Sequence, residues 1–302
     1  MTTLVTAFPV VLVACLMAWS LWFPIAAGQL SMAVPAFVGA GAYAAGLLAL
    51  HVTDNIVVGL ALGGAVGAVY GIPFGLVCAR LSVFGLAVAT LGVVQIQETI
   101  VQNASSLGGS VGLIGIPTQS TILPGCLVCV VVIAFSIFVF HGRQGRILDV
   151  VRHNEGLAKS IGISPFAVKM YVLMVSGLVA GLAGVLHARY TGFIDPTQFG
   201  SALIVQLFAF VMLGGQNSYW GPIAGAATLT FGLQYLAAIG DYRNIAFGAV
   251  LVLIIVVRRD GVISRSLALR ARRLRRQLRR TRPRQVAPGN NLAGAPPTAN
   301  AP

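Results

Sequence analysis

Polar side chains inside an apolar segment are the best candidates for chemistry in this chain. Gln95, Glu98 and Gln102 are spaced three and four residues apart, so on a helix they share one face, with Thr99 beside them. A carboxylate in such a segment is costly in lipid and normally faces a cavity or a partner. The spacing therefore predicts a solvated lining or a partner contact, or alternatively a packed hydrogen-bonding stripe. Gln29 and Ser31, at the start of another apolar segment, are similar candidates.

The composition predicts a membrane protein. Of 302 residues, 57% are hydrophobic and only 9% are charged, with a mean hydropathy of +0.88, whereas soluble domains are about 25% charged. Apolar segments fall at 4–23, 28–50, 56–79, 83–104, 122–140, 166–190, 201–215, 219–239 and 243–257. A helical span needs roughly 20 apolar residues. We therefore expect an all-α polytopic fold of about eight to ten spans, with one transmembrane domain over residues 1–257. The short segment 201–215 is predicted to be broken or re-entrant.

The positive charge is concentrated at the carboxyl end. Residues 258–302 hold twelve arginines and one aspartate, which gives +11 of the net charge of +13. Nucleic-acid binding by the rest of the chain is therefore not expected. We predict a basic cytoplasmic tail over 258–302, disordered beyond Arg284. Its basic stretch is either a helix lying on anionic membrane lipid or a charge block that fixes orientation.

One polar segment, residues 142–163 (hereafter the charged segment), interrupts the apolar sequence. It carries Arg143, Arg146, Arg152 and Lys159, and Lys169 follows shortly after. By the positive-inside rule these cations place the charged segment in the cytoplasm, together with the tail. Counting the spans back then puts the amino terminus outside, and we interpret 4–23 as a retained membrane helix rather than a cleaved signal.

Glycines form two patterns. Gly59, Gly63, Gly67, Gly71 and Gly75 make a smooth stripe on one helix face, which predicts close packing inside the bundle or a subunit interface. The second pattern is the Gly-rich stretch 106–117, which includes Gly108 and Gly109. It is either a group of backbone N–H donors able to hold an anion or a tight external loop.

No catalytic constellation is present in the sequence. It has no G-x-x-x-x-G-K-[ST] motif, so nucleotide binding through a P-loop is excluded. Cys126 and Cys129 form a C-x-x-C inside an apolar run, which favours buried thiols over a metal or redox site. The four histidines are dispersed. We therefore expect no catalytic residue, no metal and no cofactor bound by this chain.

Several of these stretches, in order, resemble the permease subunits of bacterial ABC importers for branched-chain amino acids, the LIV type. Residues 28–31 read G-Q-L-S and continue into A-F-x-G-x-G-A-Y at 36–43, with Ala-Val-Pro at 33–35 where the family has Gly-His-Ala. T-L-G at 90–92 follows, with Gln95 where the family usually has Glu. Val111 stands in the next loop where Asn or Asp is common. M-L-G-G-x-x-S-x-W-G-P occurs at 212–222.

The charged segment matches the family pattern best. Its Gly-Arg at 145–146, Val-Arg at 151–152, Asn-Glu at 154–155 and Ser-Ile-Gly-Ile at 160–163 fit the family pattern. The family's final P-R-G is Arg-Asp-Gly here, at 259–261.

The resemblance implies a pathway subunit in a bacterial cytoplasmic (inner) membrane. Its partners would be a second permease subunit, two cytoplasmic ATPase subunits that carry ATP-Mg, and an extracytoplasmic solute-binding protein. The charged segment would be the coupling helix, with Ala158, Ile161 and Gly162 in the ATPase groove. Arg146, Arg152 and Glu155 would form an ionic rim around it. The implied coupling residues are Arg146, Arg152, Asn154, Glu155, Ala158, Ser160 and Gly162. The candidate pathway residues are Gln29, Ser31, Gln95, Glu98, Gln102, Gly108 and Gly109. The alternatives are an importer of urea or amides, and a stand-alone secondary carrier or channel.

Overall fold

The computed structural model describes residues 2–78, 81–216, 220–236 and 248. Its helices are α1 (Thr2–Ala26), α2 (Val34–His51), α3 (Ile56–Cys78), α4 (Val83–Asn103), α5 (Ile122–His141), α6 (Arg143–His153), α7 (Glu155–Ser160), α8 (Pro165–Thr191), α9 (Ser201–Gly214) and α10 (Gly221–Leu236). Three short 3-10 turns occupy Ser105–Leu107, Gly109–Val111 and Pro196–Phe199, and two short strands are β1 (Leu113–Ile114) and β2 (Phe193–Ile194). Within the described ranges, six helices are long and apolar enough to cross a membrane. The predicted helical, polytopic fold is confirmed.

The chain divides into two units, Met1–Ser264 and Arg265–Pro302. Every described residue belongs to the first unit. The predicted ninth apolar segment, 243–257, and the basic tail lie outside the described residues apart from residue 248, so the boundary at 257 remains a prediction.

Helix α8 is the centre of the bundle and packs against α1, α2 and α3. Its buried glycines allow backbones to touch, because a Cβ at Gly181 would meet the backbone of Gly63, and one at Gly177 would meet that of Gly67. The α3 glycine stripe is therefore used for packing inside this chain, the first of its two predicted roles.

Three connections meet at one end of the bundle, here called the outer end. Strand β1, after α4, pairs antiparallel with β2, after α8, in the register Leu113 to Ile194. The Gln119 side chain donates to the carbonyl of Asp54, in the α2–α3 connection, at 2.9 Å. The charged segment lies between α5 and α8 at the opposite, inner end. By its cations the inner end is predicted to be cytoplasmic.

Helix α2 begins later than the apolar pattern indicates. The segment at 28–50 was predicted as one span, but residues 29–33 are not helical and α2 starts at Val34. Pro35 explains the start, since proline favours the first turn of a helix, where its missing N–H is not needed. Helix α1 ends at Ala26, and Gly28, in the turn that follows it, has a φ of +78°. Residues 27–33 (hereafter the α1–α2 break) thus put irregular backbone inside the bundle.

Helices α9 and α10 form an antiparallel hairpin. Glycines let them touch, because a Cβ at Gly225 would meet the carbonyl of Phe210. Trp22 of α1 donates from Nε1 to the carbonyl of Gln216, at the hairpin turn, at 2.9 Å. Gln216 therefore lies about one helical turn from the inner end of α1.

Candidate functional site

Helix α4 carries polar residues on two different faces. Gln95, Thr99 and Asn103 (hereafter the α4 stripe) are exposed and line a groove on the bundle surface. Thr99 donates to the carbonyl of Gln95 at 2.9 Å, and Asn103 donates to that of Thr99 at 2.8 Å. Glu98 lies at the edge of the other face, turned towards α2. Of the three residues predicted on one face, Gln95 is exposed, whereas Glu98 and Gln102 are partly buried.

The face turned towards α2 encloses a small chamber (hereafter the outer cavity). It is lined by Tyr43, Val94, Gln97, Glu98, Val101, Pro196 and Phe199, with about 10 Å³ of space for the centre of a water molecule. The Tyr43 hydroxyl and Gln97 Oε1 are buried there without a hydrogen-bond partner. Gln102 donates to Glu98 Oε1 at 3.4 Å. The outer cavity therefore presents several uncommitted oxygen atoms.

Sequence reasoning missed Tyr43 and Gln97. Gln97 falls outside the face that residues 95, 98 and 102 define, and its side chain donates to the carbonyl of Ala36 at 2.9 Å. That partner lies 61 positions away in the sequence. The signal that existed was a third glutamine, beside Gln95 and Gln102, in one apolar segment.

The Gly-rich stretch after α4 has the geometry of a tight external loop. Gly108 and Gly109 have positive φ values of 85° and 58°. Their amides donate to the carbonyls of Ser105 and Ala104 at 3.2 and 3.1 Å. Because these N–H groups are used within the loop, they are not free donors for an anion in this conformation.

The α1–α2 break holds the other two predicted polar residues. Gln29 is 2% exposed, and neither atom of its amide has a hydrogen-bond partner. Ser31 is fully buried and accepts from the amide of Ala33 at 3.4 Å. The hydroxyl of Thr90, on α4, accepts from the amide of Met32 at 2.9 Å. The break is thus tied to α4 and contains the unpaired carboxamide of Gln29.

The charged segment folds as two short helices with well-formed ends. The side chain of Asn154 caps α7 by accepting from the amide of Leu157 at 3.0 Å. At the other end Gly162 has a φ of +79°, and Ile163 donates to the carbonyl of Ala158 at 2.9 Å. This is a Schellman motif, in which glycine is favoured by its left-handed backbone. Ser160 lies in the last turn and donates to the carbonyl of Leu157 at 2.9 Å.

Two of the residues predicted for the ionic rim are engaged within this chain. Glu155 pairs with Lys169, on the first turns of α8, at 2.7 Å. Arg152 packs against the break, since a Cβ at Gly28 would lie 3.2 Å from its Cγ. Arg146 is exposed. The charged segment therefore contacts both the central helix and the α1–α2 break.

The prediction that Ala158 packs into a partner groove is wrong. Ala158 is fully buried in this chain, so its side chain cannot reach a partner. The exposed apolar residues of this part of the segment are Leu157 and Ile161, 54% and 57% exposed. Gly162 is also exposed, with no atom within 4 Å of the position of a Cβ.

A buried arginine at the outer end was not singled out from the sequence. Arg189 is fully buried near the end of α8 and pairs with Asp54, whose side chain is half exposed. The same guanidinium donates to the carbonyl of Pro117 at 3.3 Å. Arg189 therefore joins α8 to two outer connections.

These features define a class: a polytopic α-helical membrane protein with a polar stripe on one span and a charged segment at its inner end. A model of the family described as "Branched-chain amino acid transport system / permease component" matches residues 3–256. The chain belongs to this family. With its apolar helices, the match makes it a multi-pass protein of the inner membrane.

Curated relatives agree with the family. The chain is 27% identical over 271 residues to the high-affinity branched-chain amino acid transport system permease protein LivM of Salmonella typhimurium strain LT2, covering 78% of this chain and 64% of that protein. LivM of Escherichia coli strain K12 is 26% identical over the same shares. The chain thus spans less than two thirds of the LivM proteins.

A second type of relative is named for a different solute. The ribose import permease protein RbsC of Escherichia coli strain K12 is 28% identical over 239 residues, covering 72% of this chain and 73% of that protein. No solved structure matches the chain.

Proposed function

We propose that this chain is the membrane pathway subunit of an ABC importer for branched-chain amino acids. Family membership supports the transport role, and the LivM relatives support the solute. The chain would not hydrolyse ATP itself, since its sequence has no P-loop.

The observation that carries the proposal is the exposed α4 stripe. Gln95, Thr99 and Asn103 lie on the surface of a helix with the length and hydropathy of a membrane span. Amide and hydroxyl groups are disfavoured against lipid, because lipid offers no hydrogen bonds. Such a surface fits a water-filled pathway or a second permease subunit better than it fits lipid.

A separate motor is the second part of the proposal. Two cytoplasmic ATPase subunits holding ATP-Mg would dock against the charged segment, with Leu157 and Ile161 as the apolar anchors. The Glu155–Lys169 pair and the contact of Arg152 with Gly28 would transmit their movement. In this arrangement Asn154, Ser160 and Gly162 hold the shape of the docking helix.

The remaining partners follow from the same proposal. A second permease subunit, identical or homologous, would face the α4 stripe. An extracytoplasmic binding protein would deliver the solute to the outer end, where the Arg189–Asp54 pair holds the connections together. For the basic tail we retain the prediction of contact with membrane lipid.

Uptake by the assembled transporter in proteoliposomes tests the proposal. The chain is purified with its ATPase and permease partners, and the loaded binding protein is added outside with ATP enclosed. Labelled leucine, ribose and urea are compared. We expect ATP-dependent leucine uptake.

The control is an ATPase partner whose hydrolysis is blocked, which should abolish uptake. Leucine entry that persists without the ATPase would instead indicate a stand-alone carrier or channel. Uptake of ribose or urea alone would refute the assigned solute.

A further inference from the structure

The oxygen atoms around the outer cavity are mainly acceptors. Tyr43 is 6% exposed and lines the cavity with a hydroxyl that has no partner. Gln97 commits its NH₂ group to Ala36, which leaves its Oε1 as a buried, unpaired acceptor. Glu98 adds a carboxylate to the same wall. A buried polar atom without a partner in a native structure calls for a ligand, a water or an ion to pair it.

No cation among the described residues pairs with Glu98. The ion pairs found among the described residues are Glu155–Lys169 and Asp54–Arg189. A carboxylate inside a membrane span normally has such a partner, because an isolated charge there is expensive. The hydrogen bond from Gln102 reaches Oε1 of Glu98 and not Oε2.

The second carboxylate oxygen of Glu98 lies in space that is open because residue 200 is a glycine. A Cβ at Gly200 would lie 2.7 Å from Glu98 Oε2, so any other residue there would displace the carboxylate. Glu98 itself is partly exposed, between the outer cavity and the α4 stripe. One wall of the cavity is therefore within reach of a molecule that passes along the stripe.

We propose that the outer cavity receives a primary ammonium group, the α-ammonium of the amino acid in transit. An ammonium group has about the size of a water molecule, and the cavity's 10 Å³ is about the least space that one water needs. The group donates three hydrogen bonds, and its charge balances Glu98. Tyr43 and Gln97 supply the other acceptors. This inference rests on the proposed function and adds which group of the solute the chain recognises.

Thermal stability of the assembled transporter in nanodiscs tests binding without transport. The probes are isoamylammonium chloride, sodium 4-methylpentanoate and sodium chloride at equal concentration. We expect isoamylammonium to raise the midpoint of unfolding, and the two sodium salts to leave it unchanged. An equal rise with sodium chloride would assign a metal cation to the cavity, and a rise with the carboxylate or none with isoamylammonium would likewise overturn the proposal.

Substitutions locate the effect. Glu98→Gln and Tyr43→Phe should abolish the stabilisation by isoamylammonium, and Glu98→Gln should slow leucine uptake about tenfold or more, as expected for a lost charge-assisted hydrogen bond. The matched control is Thr121→Val, which removes another buried, unpaired hydroxyl away from the cavity and should change neither readout.

The two proposals fail in different ways. If wild-type transporter shows no leucine uptake but isoamylammonium still stabilises it through Glu98, only the assigned solute is wrong. If leucine uptake is normal in both Glu98→Gln and Tyr43→Phe, the cavity holds water only and the ammonium site is refuted.

Discussion

The contact between α3 and α8 makes a sharp prediction about two glycines of one stripe. At Gly67 an added Cβ would lie 3.0 Å from the carbonyl carbon of Gly177 and nearer still to its oxygen. At Gly59 it would lie 3.6 Å from the side chain of Val185, an ordinary van der Waals contact. The two positions are on the same helix and differ only in what the methyl group meets.

The expected magnitudes follow from these distances. Overpacking against a backbone that cannot rotate away costs roughly 3 kcal/mol, and alanine returns about 1 kcal/mol of helix propensity. Gly67→Ala should therefore lose about 2 kcal/mol, or about 4–8 °C in unfolding temperature. Gly59→Ala should be neutral or slightly more stable.

The assay is thermal unfolding of each variant in the same detergent, monitored by the helix band of the circular dichroism spectrum at about 222 nm. Equal midpoints for Gly67→Ala and Gly59→Ala would refute the close packing of α3 on α8. Destabilisation of both would show that the stripe also packs at its outer end.

Three further predictions concern the two ends of the bundle and the tail. Replacing Leu157 and Ile161 by Asp should uncouple ATP hydrolysis from uptake without preventing membrane insertion; normal solute-stimulated ATPase activity would refute these anchors. Asp54→Asn should cost about 3 kcal/mol in unfolding free energy, more than Arg189→Met, since it leaves a buried cation unpaired; the reverse order in chemical denaturation would contradict this. Truncation after Arg265 should leave assembly and uptake largely intact, and a truncated chain that assembles but does not transport would give the tail a role in driving or regulating transport.

The helices were predictable because lipid requires long apolar runs, and six described helices match them. The start of α2 was missed because the apolar run continues through the break, although Pro35 marks it. Which face of each helix is buried was less predictable. Ala158 is in a helix of six residues, too short for periodicity to show which face is buried.

Contacts between residues far apart in the sequence were also not predictable. Arg189 reads in sequence as an ordinary charge at the end of a span, and its partner Asp54 is 135 positions away. Gln97 and Tyr43 likewise meet only through the packing of α2 on α4. Glu98 was predictable, since a lone carboxylate in an apolar segment stands out in any sequence.

Cysteine labelling of α4 tests the central claim, that this chain lines a pathway driven from the cytoplasm. Gln95→Cys and Thr99→Cys are compared with Val94→Cys, whose position is 1% exposed, using a small water-soluble thiol reagent on assembled transporter. We expect labelling at 95 and 99 that changes between the nucleotide-free and ATP-bound states, and none at 94. Absence of labelling at 95 and 99 in both states, with loop controls labelled, would contradict the claim.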